Sequence, residues 1–471
     1  MADLYASLYT ASNAMRAHSA ALDIVGRNMA NVNNTAYARQ RVVYGDKGSV
    51  NTPLGAQSLG LEAVGIQQMR DTLLDGQITG EASNTAVLDA QSKYLSQAQT
   101  ALGQGVFSDA TSVETISTNA KLPAGIGASI DAFFNAWQSY STDPTTVTSK
   151  QQLIATTDDL IDKVHLADSR LADISLPSAG NTITGQMDTT VSSVNGMLTN
   201  IANLNRQIGQ AEIISPGSAV DLRDQRQAKL EELAQQLDFK TVQQANGEVG
   251  IQVTDSGNNT VDLVSLATVQ GTLARNGANY QWTPTAGAPA TLALTGGSLA
   301  GLQQVGNTVQ GYRTQLDALV NTLVTRVNTA YNAAANGNFF APGGTTAATI
   351  ARTATVATVV AADAAAGPGA NDNALAVAAI AHDTAFLGGT PAQAFSRIVT
   401  AVAQDVSTND SRTTDQKSLS DLLKAQRESY SGVSLDEEAA DMLRFQRAFQ
   451  ASAKMLSVID QLMDTVINTL K

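Results

Sequence analysis

The C-terminal stretch from Ser434 to Lys471 constrains the fold more than any other part of the sequence. Apolar side chains recur there every seven residues, a second set occupies the interleaved heptad positions, and no Gly or Pro interrupts the run. This spacing predicts one long helix with an apolar seam, typical of a coiled-coil strand that must pack against a partner. The seam consists of Leu435, Met442, Phe449, Leu456, Met463 and Leu470, with Phe445, the small Ser452, Ile459 and Val466 between them.

The start of this helix is also marked in the sequence. Ser434 can cap the first turn, and Glu437 stands three residues later, where a capping box needs an acidic side chain. Asp436 and Glu438 add negative charge where the helix dipole favours it. The acidic trio at positions 436–438 is therefore interpreted as capping.

A matching seam lies at the other end of the chain and ends in the polar stretch 31–35. Asp3 is the predicted cap, and His18 is the polar exception, either a tolerated seam residue or a device that fixes register. Matching seams suggest that the two ends pair with each other, although an ordinary bundle within the chain fits the pattern equally well. The N-terminal seam consists of Leu4, Leu8, Ala11, Met15, His18, Leu22, Val25, Met29 and Val32.

Composition narrows the class of protein. At 471 residues the chain is long enough for three or four domains, with aromatic residues at only 5%. A net charge of −13 argues against nucleic-acid binding, and the absence of cysteine excludes disulfides and thiolate chemistry. The N-terminus does not read as a secretory signal peptide, and no apolar run is long enough to cross a membrane. We therefore expect a soluble protein that, if exported, leaves by another route.

The middle of the chain alternates helical patterns with strand-rich segments. A short strand is predicted over 60–66, and Asp143-Pro144 resembles the first residues of a helix. Asn205 falls on an apolar seam that runs from Met187 to Ile208, where its amide either fixes register or turns to solvent. From Phe239 the apolar residues alternate, and Asn246-Gly247 predicts a hairpin. A further four-three apolar seam runs from Leu302 to Leu323, and Asn373 is the predicted cap of a short alanine-rich helix.

The predicted fold is mainly α with β insertions. Long terminal helices pair as a coiled coil, a helical bundle forms a stalk, and one or two small antiparallel β domains are inserted. The predicted division is a terminal assembly domain (1–50 with 431–471), a helical stalk (51–238 with 298–340 and 391–430), an inserted β domain (239–297) and a small insertion (341–390).

No pattern of catalytic, cofactor-binding or metal-ligating residues is found. The sequence contains no zinc-protease, phosphate-loop or serine-hydrolase motif, and its three histidines lie far apart. The charged run from Asp221 to Arg226 is interpreted as a solvated or salt-bridged helix face. We therefore predict a protein that is not an enzyme.

Both ends carry a family resemblance. The segment Asn28–Gln40 resembles the N-terminal signature of the flagellar axial proteins, although Thr35-Ala36 stand where that family has Pro-Gly. The segment Ser431–Gln446 is very similar to the C-terminal signature of the hook-associated protein 1 branch of that family. Internal strings at 201–208 and 221–226 are also similar to strings of that branch. The residues that match the family motif are Asn28, Asn31, Tyr37, Arg39, Gln40, Asp436, Glu437, Arg444 and Gln446.

The resemblance implies a mechanical function. Proteins of this family are exported through the flagellar channel without a cleaved signal and polymerise at the distal end of the hook, outside the cell. The resemblance implies several partners: further copies of the chain in a ring-like homo-oligomer, the hook protein, the adjacent junction protein, and an export chaperone on the C-terminal helix. No cofactor, nucleic acid or membrane partner is expected. Alternatives are a hook or rod protein, or a secreted hydrolase carried on such a stalk.

Overall fold

The computed structural model describes residues 2–34, 36–46, 48–52, 55–58, 60–103, 125–213, 217–332, 337–362, 367 and 369–469. Across these residues the chain is mainly helical with small antiparallel sheets, as predicted. The helices are α1 (Ala2–Ala30), α2 (Thr72–Ala101), α3 (Ile126–Thr142), α4 (Val147–Asp173), α5 (Thr182–Glu212), α6 (Val220–Ala234), α7 (Gly297–Tyr331), α8 (Asp372–Ala379), α9 (Pro391–Ser431) and α10 (Leu435–Thr469). The strands are β1 (Gln40–Asp46), β2 (Ser49–Thr52), β3 (Gly55–Ser58), β4 (Leu61–Gln68), β5 (Lys240–Gln243), β6 (Val249–Thr254), β7 (Thr260–Ser265), β8 (Thr268–Val269), β9 (Gly271–Asn276), β10 (Asn279–Pro284) and β11 (Ala290–Thr291).

The two terminal helices pack against each other within one chain. Near the end of α1, Asn28 bonds to Glu438 in the first turn of α10, and His18 lies 6.3 Å from Phe445, ring centre to ring centre. Asn28 comes after His18 in α1, whereas its partner Glu438 comes before Phe445 in α10. The two helices are therefore antiparallel. The predicted pairing of the ends is confirmed. The predicted cap is wrong, since α1 begins at Ala2 and Asp3 lies inside the helix.

A two-stranded ribbon follows α1 and packs along it. Strands β1 and β4 pair antiparallel, and the β2–β3 hairpin lies beyond them. The predicted strand at 60–66 is therefore confirmed as part of β4. Gly60 has a φ of +93°, and a Cβ there would lie 2.9 Å from Cγ2 of Thr10. Only glycine allows this close approach between the ribbon and α1.

The remaining helices form a body with one continuous apolar core. Helix α2 packs between α7 and α9, and α3 packs against α4 and α8. At one end of the core, Trp137 packs edge-on against Tyr331 and Phe339 with ring centres 5.9 Å and 4.9 Å away. All seven apolar positions that predicted a seam in α7 are buried: Leu302, Val305, Val309, Tyr312, Leu316, Leu319 and Leu323.

Two predicted helix starts are wrong by a few residues. Helix α4 begins at Val147 after Thr146, whereas Asp143 ends α3 and its N–H donates to the carbonyl of Ser139 (3.3 Å). The Asp143 side chain accepts the Thr146 hydroxyl, so the polar residues of this turn join both helices. Helix α8 begins at Asp372, and the Asn373 amide instead donates to the carbonyl of Tyr331 (3.2 Å).

The inserted sheets are formed by the segment that follows α6 and precedes α7 in the sequence, and they pack on α5. Strands β5 to β8 form one antiparallel sheet, and β9 to β11 form another. The predicted hairpin at Asn246-Gly247 is confirmed, because both residues have positive φ (55° and 72°) between β5 and β6. Asn205 does not face solvent, and its Oδ1 accepts a hydrogen bond from Arg226 of α6 (3.0 Å). Its amide donates to the carbonyls of Val249 and Leu266, both at 2.8 Å, and thus fixes the sheet to α5.

The segment from 337 to 362 completes the aromatic end of the core. Two Thr-x-x-Thr turns follow one another there, with hydroxyl oxygens 2.7 Å apart in Thr346 and Thr349 and 3.0 Å apart in Thr355 and Thr358. Each turn is followed by a buried aliphatic residue, Ile350 or Val359. This short repeat was not identified in the sequence.

Candidate functional site at the base of the terminal helix pair

The N-terminal motif folds into a tight loop directly after α1. Asn34 donates its N–H to the carbonyl of Asn31 (2.9 Å), and Tyr37 donates to the carbonyl of Asn34 (3.0 Å). The side-chain amide of Asn31 also donates to the carbonyl of Arg27. These successive turns reverse the chain so that Arg39 and Gln40 lead into β1 beside the helix they have just left. Thr35 lies outside the described residues, so the Thr-Ala departure is described only at Ala36.

Asn28 is the centre of the site. Its Oδ1 accepts the Tyr37 hydroxyl (2.8 Å) and the Gln40 N–H (3.0 Å), while its Nδ2 donates to the Gln40 carbonyl (2.9 Å) and to Glu438 Oε2 (3.0 Å). The residue is 1% exposed. A side-chain amide has two donors and two acceptor positions, and all four are used here. An aspartate in this position would oppose Glu438 instead of donating to it.

Arg39 joins the loop to the start of α10. Its Nε donates to Glu438 Oε1 and a terminal nitrogen donates to Glu437 Oε2, both at 2.7 Å. Its backbone N–H donates to the carbonyl of Ser431 (2.9 Å), so the turn between α9 and α10 is held as well. Burial alone would lower the pKa of Arg39, but the carboxylates of Glu438 and Glu437 raise it above its ordinary value.

The acidic trio therefore does more than cap the helix. Glu438 is 1% exposed and binds both Asn28 and Arg39, whereas its position in the sequence predicted only an interaction with the helix dipole. Glu437 accepts a hydrogen bond from Arg39. Asp436 is exposed. The spacing of these three acidic residues in the sequence does not predict their different roles, because the roles depend on contacts with Arg39 at the other end of the chain.

The other two motif residues are less enclosed. Arg444 is mostly exposed, pairs with Asp441 at 3.1 Å and covers the Phe445 ring at 4.8 Å. Gln446 is exposed. Neither is part of the buried network around Asn28.

The predicted seam residues are brought together, but few are fully buried. Val25 and Ile459 are buried, and Leu435 is half exposed at the first turn of α10. Leu470 lies outside the described residues. The predicted assembly residues that are partly buried are Leu4, Leu8, Met15, Leu22, Met29, Met442, Phe445, Phe449, Leu456, Met463 and Val466.

The most buried line of α1 is one position away from the predicted seam. Ala17, Ala21, Ile24 and Asn28 follow a four-three-four spacing and are all buried. Helix α1 is covered by α10 and also by the β1–β4 ribbon, so the line between its two partners is the most enclosed. His18 lies beside this line, and burial lowers its pKa below the ordinary value.

A second apolar stripe of α10 is exposed. Met455, Val458 and Leu462 are 59%, 46% and 51% exposed, and with Ala451 they repeat the four-three-four spacing of the inner seam. On a helix this spacing places all four on one face. The outer stripe, defined as Ala451, Met455, Val458 and Leu462, thus lies beside the seam that faces α1.

Charged residues of α6 connect the site to the body. The Gln40 amide donates to Asp221 (3.0 Å), and Arg70 bridges Asp224 (2.7 Å) and the carbonyl of Ala36 (2.8 Å). Burial, followed by the carboxylates of Asp224 and Asp221, raises the pKa of Tyr37. The run 221–226 is therefore salt-bridged, which is one of the two predicted alternatives, and Asp224 within it is buried.

The site has the chemistry of a structural joint. In the part of the chain that the structure describes, no cluster of three or more His, Asp or Glu side chains is placed to hold a metal ion. Among the same residues, no helix combines the length and apolar character required to cross a membrane. The contacts around Asn28 fix the relative positions of α1, α10 and α6.

Comparisons with known proteins agree with this architecture. The sequence matches the family model "Flagellar hook-associated protein FlgK helical domain" over residues 112–341 and "Flagellar basal body rod FlgEFG protein C-terminal" over residues 420–470. A solved structure, the flagellar hook junction protein FlgK from Burkholderia pseudomallei, matches with a TM-score of 0.62 at 13% identity, covering 76% of this chain and all of that chain. This likeness concerns the fold.

Curated relatives extend the match to the whole sequence. Flagellar hook-associated protein 1 of Bacillus subtilis is 26% identical, covering 99% of this chain and 99% of its own length. The protein of the same name from Salmonella typhimurium is 23% identical over 56% of this chain and 42% of its own length. With both terminal motifs and the helical domain in place, the chain belongs to the flagellar hook-associated protein family.

Proposed function

We propose that this chain polymerises at the distal end of the flagellar hook and connects the hook to the filament. As a member of its family it is a structural component of the flagellum. In our proposal it forms a ring-like homo-oligomer outside the cell, works mechanically and catalyses no reaction. The observation that carries this proposal is the outer stripe of α10, which remains exposed after α10 has packed against α1.

The outer stripe supports assembly through helix packing. One helix pair buries one seam, but α10 presents two stripes with the same spacing. Large apolar side chains in a continuous exposed row mark surfaces that contact another protein. A helix of a neighbouring copy would cover this row in the geometry by which α1 covers the inner seam.

The partners follow from the position in the flagellum. On this proposal the hook protein lies on one side of the ring and the adjacent junction protein lies on the other. An export chaperone covers α10 in the cytoplasm, where an exposed apolar row is an aggregation hazard, and export requires no cleaved signal. Removal of residues 435–471 should abolish chaperone binding while the body still folds. Unchanged binding by the truncated chain would contradict the assignment of the chaperone to α10.

The predicted division into four parts remains part of this proposal. The terminal pair serves assembly, whereas the stalk and the two insertions, at 239–297 and 341–390, extend from it. Expression of residues 72–430 alone tests the division, because α2 and α9 bring these two ends of the body together. A folded, monomeric product is expected, and an unfolded product would show that the body depends on the terminal pair.

Electron microscopy of hook tips tests the function directly. A strain that lacks this chain should make hooks of normal length without filaments, and the added wild-type chain should restore filaments. Absence of the hooks themselves would instead assign the chain to the rod or hook. Filaments that form normally without the chain would contradict the proposal. A turnover assay with generic hydrolase substrates tests the remaining alternative, that the chain is a secreted hydrolase.

A further inference from the structure

A buried charge cluster holds the loop of the terminal motif against the body. Arg70 contacts Asp75 at 3.0 Å and Asp224 at 2.7 Å, and Arg427 contacts Glu231 at 2.5 Å and Asp75 at 4.0 Å. These residues come from α2, α6, α9 and the segment before α2. All five side chains are at most 21% exposed. The cluster therefore lies where the terminal pair meets three helices of the body.

The cluster contains three carboxylates but only two guanidinium groups. The carboxylates are those of Asp75, Asp224 and Glu231, and the guanidinium groups are those of Arg70 and Arg427. The unbalanced group is Asp224, which is 6% exposed. Arg70 donates to its Oδ1, whereas no side chain donates to its buried Oδ2. A buried carboxylate oxygen without a side-chain donor is costly, and a proton is the smallest partner that reduces the cost.

Groups of the loop, of the segment before α2 and of α6 act on Asp224. The pKa of Asp224 is raised to about 6: burial raises it most, Arg70 and the N–H of Ala38 oppose the rise, and Asp221 adds to it. The other charged or titratable groups around the joint are Arg27 on α1, Tyr37 in the loop, Asp75 on α2, Arg226 and Glu231 on α6, Arg427 on α9 and Glu438 on α10.

We propose that the joint between the terminal helix pair and the body is a proton-responsive latch. The carboxyl group of Asp224 takes up a proton from solvent when residues 36–39 close on α6, and it releases that proton when they lift away. The closed joint is then balanced in charge and binds one more proton than the open joint. Acidification therefore favours the closed joint, and the terminal pair is held more firmly to the body.

The direction follows from linkage. A carboxyl group whose pKa is higher in the closed state than its unfolded value of about 3.9 stabilises the closed state as pH falls through about 6. Between pH 7 and pH 5 the opening equilibrium should fall about tenfold, and below the unfolded pKa it should stay constant. Hydrogen exchange of residues 31–39 in the full-length chain measures this, once rates are corrected for intrinsic pH dependence.

Two variants and one control make the experiment decisive. Asp224→Asn should remove the pH dependence of exchange in residues 31–39. Asp221→Asn should move its midpoint to lower pH, since Asp221 raises the pKa of Asp224 and is itself exposed. Asp159→Asn, on the surface of α4, should change neither quantity.

Some outcomes would overturn the latch. Exchange in wild-type residues 31–39 that is independent of pH from 5 to 8 would exclude proton uptake at the joint. An unchanged slope in Asp224→Asn would assign the proton to another group. If Asp224→Asn does not fold, Asp221→Asn decides alone, and an unmoved midpoint rejects the proposal. None of these outcomes depends on polymerisation at the hook, so the latch and the proposed function fail separately.

Discussion

Helices α7 and α10 follow the same four-three spacing of apolar residues, but their apolar faces are buried to different extents. In α7, all seven predicted seam positions are buried in the core of the body. In α10, Ile459 is the only buried residue among the described positions of the predicted seam, and a second row of apolar residues faces outward. The spacing therefore specifies a helix and an apolar face, whereas the number of neighbours around the helix decides whether the apolar surface is used within the chain.

The two regions also differ in what holds them. Aromatic rings from α3, α7 and the following segment interlock in the body, with Trp137 fully buried among them. The base of the terminal pair depends on hydrogen bonds and ion pairs around Asn28 and Glu438. The body is a complete core, and the terminal pair is an incomplete one with a polar anchor. This difference is what an assembling subunit requires.

The largest expected effect is in the body. Trp137→Ala should lower the free energy of unfolding by about 3–5 kcal/mol, since it empties a large buried volume. Ile459→Ala should leave the main unfolding transition unchanged and only increase hydrogen exchange in α1 and α10. Urea denaturation followed by circular dichroism measures the first effect. An equal loss of stability in both variants would show one cooperative unit and contradict the comparison.

The next effect is at the base of the pair. Arg39→Ala leaves the buried Glu438 carboxylate without its cation, which should cost about 3 kcal/mol at the start of α10. Limited proteolysis should then cleave near residues 432–434 while the body stays intact. Arg444→Ala is the matched control, since its exposed pair with Asp441 is worth less than about 1 kcal/mol. Equal cleavage in both variants would show that Arg39 stabilises the start of α10 no more than Arg444 does.

The smallest effect concerns His18. Burial lowers its pKa, so the packed pair favours the neutral ring, and this stabilisation is lost as pH falls below the ordinary value of 6.5. Hydrogen exchange in α1 should increase modestly on acidification, opposite to the change expected for residues 31–39. His18→Leu should abolish the increase. An increase that persists in this variant would place the titrating group elsewhere.

Much of the fold could be predicted because local spacing decides it. The seam of α7, the Asn246-Gly247 hairpin and the start of α10 depend on residues close in sequence. Glu438 and Asp224 could not be identified because their partners, Arg39 and Arg70, lie far away in the chain. The start of α4 was misplaced because Asp143 satisfies the end of the preceding helix.

One measurement tests the central claim, that neighbouring copies complete the terminal pair. Leu462→Asp places a charge on the outer stripe, which is exposed in the monomer. The monomer should therefore melt as wild type does, while polymerisation and the restoration of filaments are lost, because a buried unpaired carboxylate costs several kcal/mol in the assembled state. Gln461→Asp adds the same charge one residue away, off the stripe, and should still assemble. Normal assembly of Leu462→Asp, or a monomer destabilised by it, would contradict this account.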